Sequence, residues 1–319
     1  MKLVIQIQIT ANEKRQVLSL SNKNINVILS QVSKLSLSII IVSFNSEKYI
    51  DKCIQSILDS KYDAINLEVI VIDNNSTDST VSKIRILIQE HKNIFLVQNK
   101  RNVGFAKAVN IGLKKRIKSE LVILLNPDTQ LSKTAIINLV SCAELGGAGI
   151  VGGSTYSSDH VENGSYFRFP NLGVGLFDFT NLRKLYKSDR WHKYFYYKDM
   201  KRHKLSHFPV DVVTGGFMLI RQETINKIGY LDERFFMYLE DVDYCLRAMK
   251  AGIKIIHCNK SKILHFGGAS SNNKDRIRHT AWLLSRKLYF LKNFDLLSNI
   301  IIQPVFLIDD VIILLNKYY

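Results

Sequence analysis

The chain has few of the residues that mark specialised protein classes. Its 319 residues include four prolines and sixteen glycines, which excludes collagen-like and proline-rich chains. The four cysteines are scattered and form no C-x-x-C pair, so they indicate neither a disulfide scaffold nor a zinc site of that spacing. We interpret them as small buried thiols in a reducing compartment: Cys53, Cys142, Cys245 and Cys258.

Long apolar runs are also missing. No segment reaches eighteen uninterrupted apolar residues, so the sequence contains no clear membrane span. The first ten residues are interrupted by Gln6 and Gln8 and do not have the pattern of a signal peptide. Because the following stretch is polar and mixed, we expect residues 1–36 to form an extension outside the main fold.

Acidic residues are scarce relative to basic ones. There are 28 Asp and Glu residues against 44 Lys and Arg residues, and the formal net charge is +16 at pH 7. A chain this basic suits a polyanionic partner, whether nucleic acid, anionic lipid or a phosphorylated substrate. A hydrophobic content of 46% is enough to bury a sizeable core, which excludes disorder as the main state.

Strand and helix patterns alternate through the first half of the chain. Four apolar runs have the length and β-branched content of buried strands: 38–43, 68–72, 94–98 and 121–125. Helical periodicity separates them, at 46–58, 81–88 and 106–116. This alternation predicts an α/β fold with a parallel, doubly wound sheet and right-handed crossovers.

The second half of the chain gives fewer firm elements. No element is predicted for residues 152–209. Further along, 212–220 and 253–256 have strand patterns, and 242–249 has a helical stripe that is closed by Gly252. Residues 282–319 are apolar and predicted to be helical.

Two carboxylates directly follow predicted buried strands, Asp73 and Asp128. Ligands of open α/β sheets bind beyond the carboxyl ends of the strands, so this placement favours a shared crevice over two turn-forming residues. The first strand runs into 43–47 (SFNSE) without a G-x-G-x-x-G motif, and no G-x-x-x-x-G-K-[ST] loop occurs. A phosphorylated ligand would need another counter-charge, and a divalent metal on Asp128 would supply it.

Six segments occur in an order that matches a known family. They are 38–45, 69–78 (VIVIDNNSTD), 102–110 (NVGFAKAVN), 124–128 (LLNPD), 215–221 (GGFMLIR), and 235–247 (FFMYLEDVDYCLR) followed by 265–270 (HFGGAS). The chain from about residue 37 to residue 271 resembles the family two glycosyltransferases with the GT-A fold. It looks most like the bacterial branch that transfers rhamnose and related sugars onto cell-envelope glycans.

The resemblance implies a domain plan. It consists of an N-terminal extension over 1–36, a GT-A domain over 37–271 and a C-terminal helical segment over 272–319, which is a candidate for membrane association. The GT-A fold is a Rossmann-like mixed sheet with helices on both faces.

The resemblance also implies site residues on the donor side. The resemblance assigns donor binding to eight residues: Asn45, Asp73, Asn102, Gly104, Asn110, Asn126, Gly215 and Gly216. Among them Asp73 would accept a hydrogen bond from the N3–H of a pyrimidine base. Asp128 would bind Mg²⁺ or Mn²⁺, and His265 would reach the metal or the diphosphate. Asn126 stands where the family has the first aspartate of D-x-D, which weakens its part as a metal ligand.

Asp241 is the candidate catalytic base. Inverting transfer needs one carboxylate to take the proton of the acceptor hydroxyl, and the resemblance assigns this to Asp241 with Glu240 on the acceptor side. The alternative from the residues alone is an acidic first turn that complements the helix dipole. Asp243 is better explained by a surface helix pair with Arg247.

The function implied is inverting, metal-dependent transfer of rhamnose or a hexose. The donor is dTDP- or UDP-linked, the acceptor is a cell-envelope glycan carried on a polyprenyl diphosphate, and no nucleic acid takes part. A sugar-phosphate nucleotidyltransferase is the alternative enzyme, but it needs a glycine-rich basic loop after the first strand. A basic nucleic-acid-binding protein is the other alternative, and it leaves Asp73, Asp128 and Asp241 unexplained.

Two surfaces favour an anionic membrane at the cytoplasmic face. Residues 183–204 combine nine cations with six aromatic residues, a pattern that also fits single-stranded nucleic acid or a solvated loop. The apolar tail 296–315 is interrupted at Gln303, Pro304, Asp309 and Asp310. The tail is therefore predicted to be an interfacial helix, a contact between two copies of the chain, or a helix packed on the domain.

Overall fold

The computed structural model describes residues 35–60, 65–117, 119–186, 189–198, 205–267 and 272–318. Residues 1–34 of the predicted extension lie outside this part of the chain, as do Lys201, Arg202 and Lys204 of the basic-aromatic segment. In chain order the described strands are β1 (Leu35–Ser43), β2 (Ile65–Asp73), β3 (Ile94–Gln98), β4 (Leu121–Leu125), β5 (Thr129–Leu131), β6 (Ile150–Tyr156), β7 (Glu162–Asn163), β8 (Tyr166–Phe167), β9 (His207–Pro209), β10 (Val212–Val213), β11 (Phe217–Arg221) and β12 (Ile255–His265).

The helices lie between and after these strands. They are α1 (Ile50–Leu58), α2 (Thr80–Glu90), α3 (Phe105–Lys115), α4 (Ala135–Gly146), α5 (Leu172–Phe177), α6 (Leu182–Tyr186), α7 (Arg190–Phe195), α8 (Gln222–Ile228), α9 (Glu240–Lys250), α10 (Asn272–Asn293) and α11 (Leu296–Tyr318). The bounds predicted for β3 and β4 are those of the structure. Residues 152–209, for which no element was predicted, contain short strands and α5 to α7.

One mixed sheet organises the chain. Its order is β3-β2-β1-β4-β11-β6-β12-β5, with β7 beside β6 and β9 beside β12. The strands β3, β2, β1 and β4 are parallel, as predicted, but β11 runs antiparallel to both β4 and β6. The prediction of a parallel sheet is therefore correct for the first half only. The mixed sheet implied by the family resemblance is confirmed.

Both faces of the sheet are covered. Along β1, Ile39 and Ile41 point into one core with the helices α1 and α4, while Ile40 and Val42 point into the other core with α3, α9 and α10. Since side chains of a strand alternate between faces, a nearly continuous apolar run is what a doubly covered strand requires. This arrangement leaves the carboxyl ends of the central strands as the accessible edge.

The predicted strand over 212–220 is two strands. β10 ends at Val213 and β11 begins at Phe217, because Thr214, Gly215 and Gly216 turn away from the sheet. The turn is held from the other side by Asp241, which accepts a hydrogen bond from the backbone of Gly215 at 2.9 Å. The interruption therefore belongs to the site described below.

Two of the four cysteines are bonded to each other. Cys142 on α4 and Cys258 on β12 form a disulfide with a Cα–Cα distance of 6.1 Å, although 116 residues separate them in sequence. Cys53 and Cys245 are buried free thiols, as predicted. The interpretation of all four cysteines as free thiols is wrong for the first pair, because packing of α4 on β12 brings the two side chains together.

The C-terminal region is a helical hairpin made of α10 and α11. Residues 282–318 are helical, as predicted, apart from a break before α11 at Asp295. The carboxylate of Asp295 accepts hydrogen bonds from the backbone and the hydroxyl of Ser298, both at 2.9 Å. Buried Arg286 of α10 forms ion pairs with Asp309, at 2.7 Å, and with Asp310. These pairs explain how two adjacent acidic residues are accommodated in an apolar helix.

The outward side of α11 is apolar. Within the described residues, Leu296–Ile313 is long and apolar enough to cross a membrane by length and composition, and 22% of it is buried. Nine exposed apolar residues form this side: Leu296, Leu297, Ile300, Ile301, Leu307, Ile308, Val311, Ile312 and Leu315. We call them the α11 apolar face. The inward side, with Ile302 and Phe306, packs into the core.

Candidate active site

A cavity of about 1020 Å³ opens at the carboxyl ends of β1 and β4. Seven of the predicted site residues other than the two metal candidates line it: Asn45, Asn102, Asn126, Gly215, Gly216, Glu240 and Asp241. Asp128 and His265 line it as well. The crevice expected beyond the strand ends is therefore present, with polar side chains converging from both halves of the chain.

Asparagines form one part of the cavity wall. Asn45 lies in the left-handed region (φ 47°), and its Oδ1 accepts a hydrogen bond from the backbone of Thr77 at 2.8 Å. Oδ1 of Asn102 accepts one from the backbone of Gly104 at 2.9 Å. Both side chains are thus fixed by the backbone of the neighbouring loop, which prepares them for contact with a ligand.

Asp73 does not line the cavity. It is 1% exposed, and its carboxylate accepts hydrogen bonds from the hydroxyl of Ser43 at 3.1 Å and from the backbone of Ser76 at 2.9 Å. Its oxygens hold the loop after β2 in this structure, and its contact with a nucleotide base stays a prediction. The next residue, Asn74, lines the cavity, and sequence reasoning missed it.

Gly104 and Asn110 both contact the loop that precedes α9. Gly104 has φ +86°, and a Cβ placed there would lie 2.4 Å from the carbonyl oxygen of Phe236. Asn110 is buried on α3 and bonds both the N–H and the carbonyl of Leu231, at 3.0 and 2.9 Å. Neither residue is among those that line the cavity, and both fix the loop before α9. Their part in donor binding stays a prediction.

Asp128 and His265 meet at one corner of the cavity. Nε2 of His265 lies 3.1 Å from Oδ1 of Asp128 and 3.5 Å from Nδ2 of Asn126. Pairing of β12 with β5 brings them together, since His265 is in register with Thr129. The backbone of Phe266 also donates to the carbonyl of Asp128 at 2.9 Å.

This corner fits a divalent cation that also binds a ligand. Within the described residues, no group of three or more His, Cys, Asp or Glu side chains could enclose a metal. One carboxylate and one imidazole leave several coordination positions open, and Mg²⁺ sites of phosphate-binding enzymes have this character. The donor set of Asp128 and His265 therefore fits a divalent cation shared with phosphate oxygens.

Asp241 lies at the first turn of α9. Its Oδ2 accepts from the backbone of Gly215 at 2.9 Å and its Oδ1 from the backbone of Val242 at 2.8 Å. Burial raises the pKa of Asp241, while these backbone hydrogen bonds lower it. The carboxylate is half-buried, lines the cavity and is oriented by two amides, as a proton acceptor requires.

Glu240 shares this part of the cavity but has a different environment. It is 5% exposed, and its Oε2 has no hydrogen-bond partner among the described residues. Burial raises the pKa of Glu240 well above its usual range, and the charge of Asp241 raises it further. Burial and the neighbouring charge both favour the protonated form of the Glu240 carboxyl.

The backbone before these carboxyls is strained. Tyr238 and Leu239 both have positive φ, at 73° and 62°, and neither is glycine. Side chains of α10 hold this turn: Arg278 donates to the hydroxyl of Tyr238 at 2.9 Å, and Ser285 donates to the carbonyl of Met237 at 2.8 Å. Strained backbone persists only where the surroundings fix it.

Asp243 is not part of a surface pair. Its predicted partner Arg247 is confirmed at 3.0 Å, but the Asp243 side chain is fully buried, and Lys292 of α10 lies 2.6 Å from its other oxygen. The expectation of a weak surface interaction is therefore wrong. Asp243 joins α9 to the C-terminal hairpin on the side away from the cavity lining.

The chain is similar in sequence and fold to known proteins. Residues 38–229, more than half of the chain, match the model of Glycosyl transferase family 2, and residues 180–318 match that of Glycosyl transferase family group 2. A mannosyltransferase from Pyrobaculum calidifontis, solved with GDP-Man and Mn²⁺, has a TM-score of 0.53 at 18% identity. The matched region covers 81% of this chain and 65% of the mannosyltransferase chain.

Two enzymes are similar in sequence. A low-salt glycan biosynthesis hexosyltransferase of Haloferax volcanii is 28% identical over 239 residues, which are 72% of this chain and 66% of that enzyme. The N-acetylglucosaminyl-diphospho-decaprenol L-rhamnosyltransferase of Mycobacterium tuberculosis is 28% identical over 226 residues, 67% of this chain and 71% of that enzyme. The chain spans just under two thirds of the first relative. With its mixed sheet and converging carboxylates, the chain belongs to glycosyl transferase family 2 and has the GT-A fold.

Proposed function

We propose that the protein is an inverting, metal-dependent glycosyltransferase that moves rhamnose or a hexose from a nucleotide-diphospho-sugar to a lipid-linked glycan. One observation carries the proposal: the oriented carboxylate of Asp241 and the Asp128–His265 corner line the same cavity. The first can take a proton, and the second can hold a diphosphate through a cation. A donor sugar bound between them would have the acceptor hydroxyl near Asp241 and its leaving diphosphate near the cation.

Asp241 acts as the general base in this proposal. The acceptor hydroxyl loses its proton to Asp241 while its oxygen bonds to the anomeric carbon, and the bond from that carbon to the diphosphate oxygen breaks. The single displacement inverts the anomeric configuration. Glu240, kept neutral by burial, leaves Asp241 as the ionised member of the pair.

Asp128 and His265 would hold the cation, Mg²⁺ or Mn²⁺, at the diphosphate end. When bound, such a cation neutralises the charge that develops on the leaving diphosphate. Asn126 lies at this corner, so it would position the cation site by its contact with His265. The mannosyltransferase noted above was solved with Mn²⁺, which supports a divalent metal here without selecting the ion.

The donor nucleotide lies, in our proposal, against the asparagine wall. Asn45 and Asn102 present amide groups that can pair with a base and ribose. A dTDP- or UDP-linked donor would suit this wall. The mycobacterial relative is named for rhamnosyl transfer to a decaprenyl-diphosphate-linked sugar, and this supports rhamnose and a polyprenyl-diphosphate acceptor as first candidates.

We also propose that the enzyme works at the anionic inner surface of the cell membrane. The α11 apolar face would enter the interface, and the cations of α7 lie close to it because α5 packs against both α7 and α11. Asn181, just before α6, donates its backbone N–H to Asp309 of α11 at 2.8 Å. Apolar and basic surfaces in one region are the two signals that stable peripheral binding needs.

The experiment on transfer uses the full chain with dTDP-rhamnose and UDP-hexoses, Mn²⁺ and a polyprenyl-diphosphate-linked N-acetylglucosamine. We expect transfer with inversion of the anomeric configuration, which NMR of the product reports. Retained configuration would overturn the mechanism. Absence of any nucleotide-sugar binding in calorimetry would overturn the proposed function.

The experiment on location uses vesicles with and without anionic lipid. An Ile301→Gln, Ile308→Gln variant should lose binding to both kinds of vesicle, since it removes exposed apolar surface from α11. An Arg190→Gln, Lys193→Gln variant should lose only the preference for anionic lipid. If the first variant binds vesicles normally and instead becomes monomeric, the α11 apolar face is a contact between two copies.

A further inference from the structure

The α10 helix carries a second exposed apolar surface that starts at the cavity. Ile277, Leu284 and Leu291 are 41%, 57% and 58% exposed and are spaced by seven residues. Seven residues are close to two helical turns, so the three side chains form one line, the α10 stripe, about 21 Å long at 1.5 Å per residue. Ile277 lines the cavity, so the stripe begins at the cavity mouth.

A positively charged side chain, Arg278, lies beside the end of the α10 stripe that borders the cavity. Arg278 also lines the cavity, and its Nε donates to the hydroxyl of Tyr238 at 2.9 Å. Trp282, one turn further, packs edge-on against the ring of Tyr238 with a centroid distance of 6.0 Å. Arg278 is therefore placed by the same turn that leads into Glu240 and Asp241.

Arg278 is one of few basic residues in a cavity whose charged lining residues are mostly acidic. Six carboxylates line it, and among its described lining residues the other side chains that carry or can take a positive charge are Lys48 and His265. The carboxylates are Glu47, Asp78, Asp128, Asp178, Glu240 and Asp241. An arginine in this setting matches phosphate oxygens in geometry and charge.

We infer that Arg278 and the α10 stripe form the binding site for the phosphorylated lipid end of the acceptor. The phosphate contacts Arg278 at the cavity wall, and the hydrocarbon chain runs along Ile277, Leu284 and Leu291 toward α11. The order of the two surfaces matches the order of groups in such a lipid, an anionic head followed by an apolar tail. This inference rests on the proposed transfer to a lipid-linked acceptor and names the residues that recognise it.

The test measures binding, so it does not depend on the identity of the sugars. Farnesyl diphosphate is the probe for head and tail together, and inorganic pyrophosphate is the probe for the head alone. Calorimetry on the full chain should give at least tenfold tighter binding for farnesyl diphosphate. Equal affinities for the two probes would overturn the inference.

Substitutions then separate the two parts. A Leu284→Gln, Leu291→Gln variant should bind farnesyl diphosphate as weakly as pyrophosphate. Leu145→Gln is the matched control, because Leu145 is a leucine of α4 with the same 57% exposure, and it should change nothing. A change of oligomeric state in the double variant, with unchanged probe affinity, would assign the stripe to a second copy of the chain and overturn the inference.

Arg278→Gln should weaken binding of both probes at least tenfold. Tyr238→Phe removes the same hydrogen bond but keeps the guanidinium, so it should retain most of the affinity. Binding of UDP with Mn²⁺, measured on every variant, reports on the donor half separately. If Arg278→Gln weakens UDP binding as much as farnesyl diphosphate binding, Arg278 serves the donor diphosphate and the inference fails while the proposed function stands.

Discussion

The backbone N–H of Gly215 donates a hydrogen bond to Oδ2 of Asp241 across 2.9 Å, and this contact joins the turn before β11 to the first turn of α9. Its effect is to orient a carboxylate that burial makes more basic than usual. The candidate base is thus positioned by the main chain of a segment 26 residues away in sequence.

Asp241→Asn should separate binding from chemistry. The amide keeps the size of the side chain but cannot take a proton, so transfer should fall by about 10² to 10⁴-fold. Donor affinity should stay unchanged, because the metal corner and the asparagine wall are untouched. The measurement is kcat at saturating donor, with donor Kd from calorimetry.

Asp243→Asn is the matched control for Asp241→Asn. Asp243 is buried between Arg247 and Lys292, so its loss should lower the free energy of unfolding by about 1.5 to 3 kcal/mol, the scale of hydrogen bonds to charged groups. Thermal unfolding reports this cost. A larger loss of kcat at low temperature for Asp243→Asn than for Asp241→Asn would show that the base is assigned to the wrong carboxylate.

Asp128→Ala should abolish the stimulation of nucleotide-diphosphate binding by Mn²⁺. Asp128 contacts His265 at the cavity rim and packs little, so the fold should remain intact. The readout is the shift in Tm caused by UDP or dTDP with and without Mn²⁺, since a ligand of the folded state raises apparent stability. Metal stimulation that survives in this variant would remove Asp128 from the site.

Gly104→Ala should distort the loop before the catalytic carboxylates. The new methyl group would lie 2.4 Å from the carbonyl oxygen of Phe236, in addition to the strain of φ +86°. Gly147→Ala is the control, since Gly147 has φ +57° but nothing within 4 Å of its Cβ position. Only the Gly104 variant should lose activity as well as stability; equal effects on activity would refute the steric argument.

Glu240→Gln should change how stability depends on pH. Burial raises the folded-state pKa of Glu240 above its unfolded value, so the folded state binds the proton more tightly. Stability of the natural protein should therefore fall as pH rises from the ordinary glutamate pKa through the raised one. Tm measured from acid to neutral pH should decline less in the variant, and an identical decline would mean that Glu240 is not held neutral.

Local sequence determined the first half of the fold. The runs that became β1 to β4 are apolar enough to be buried on both faces, and the bounds of β3 and β4 follow directly from them. The order of the motifs also predicts Asp128, His265 and Asp241 at one site, and all three line the cavity. The strands depend on patterns within a few neighbouring residues. The site residues follow from motifs that occur in the same order as in the family.

Tertiary structure alone decided which polar residues face the cavity. Asp73 and Asn74 are neighbours in sequence, yet one holds a loop and the other lines the cavity, because adjacent residues at a strand end point to different surroundings. Asp243 was predicted from helix spacing as an exposed partner of Arg247, but α10 buries it and adds Lys292. The disulfide of Cys142 and Cys258 likewise depends on packing between distant segments, and so does the position of the α10 stripe at the cavity mouth. Spacing in sequence encodes neither of them.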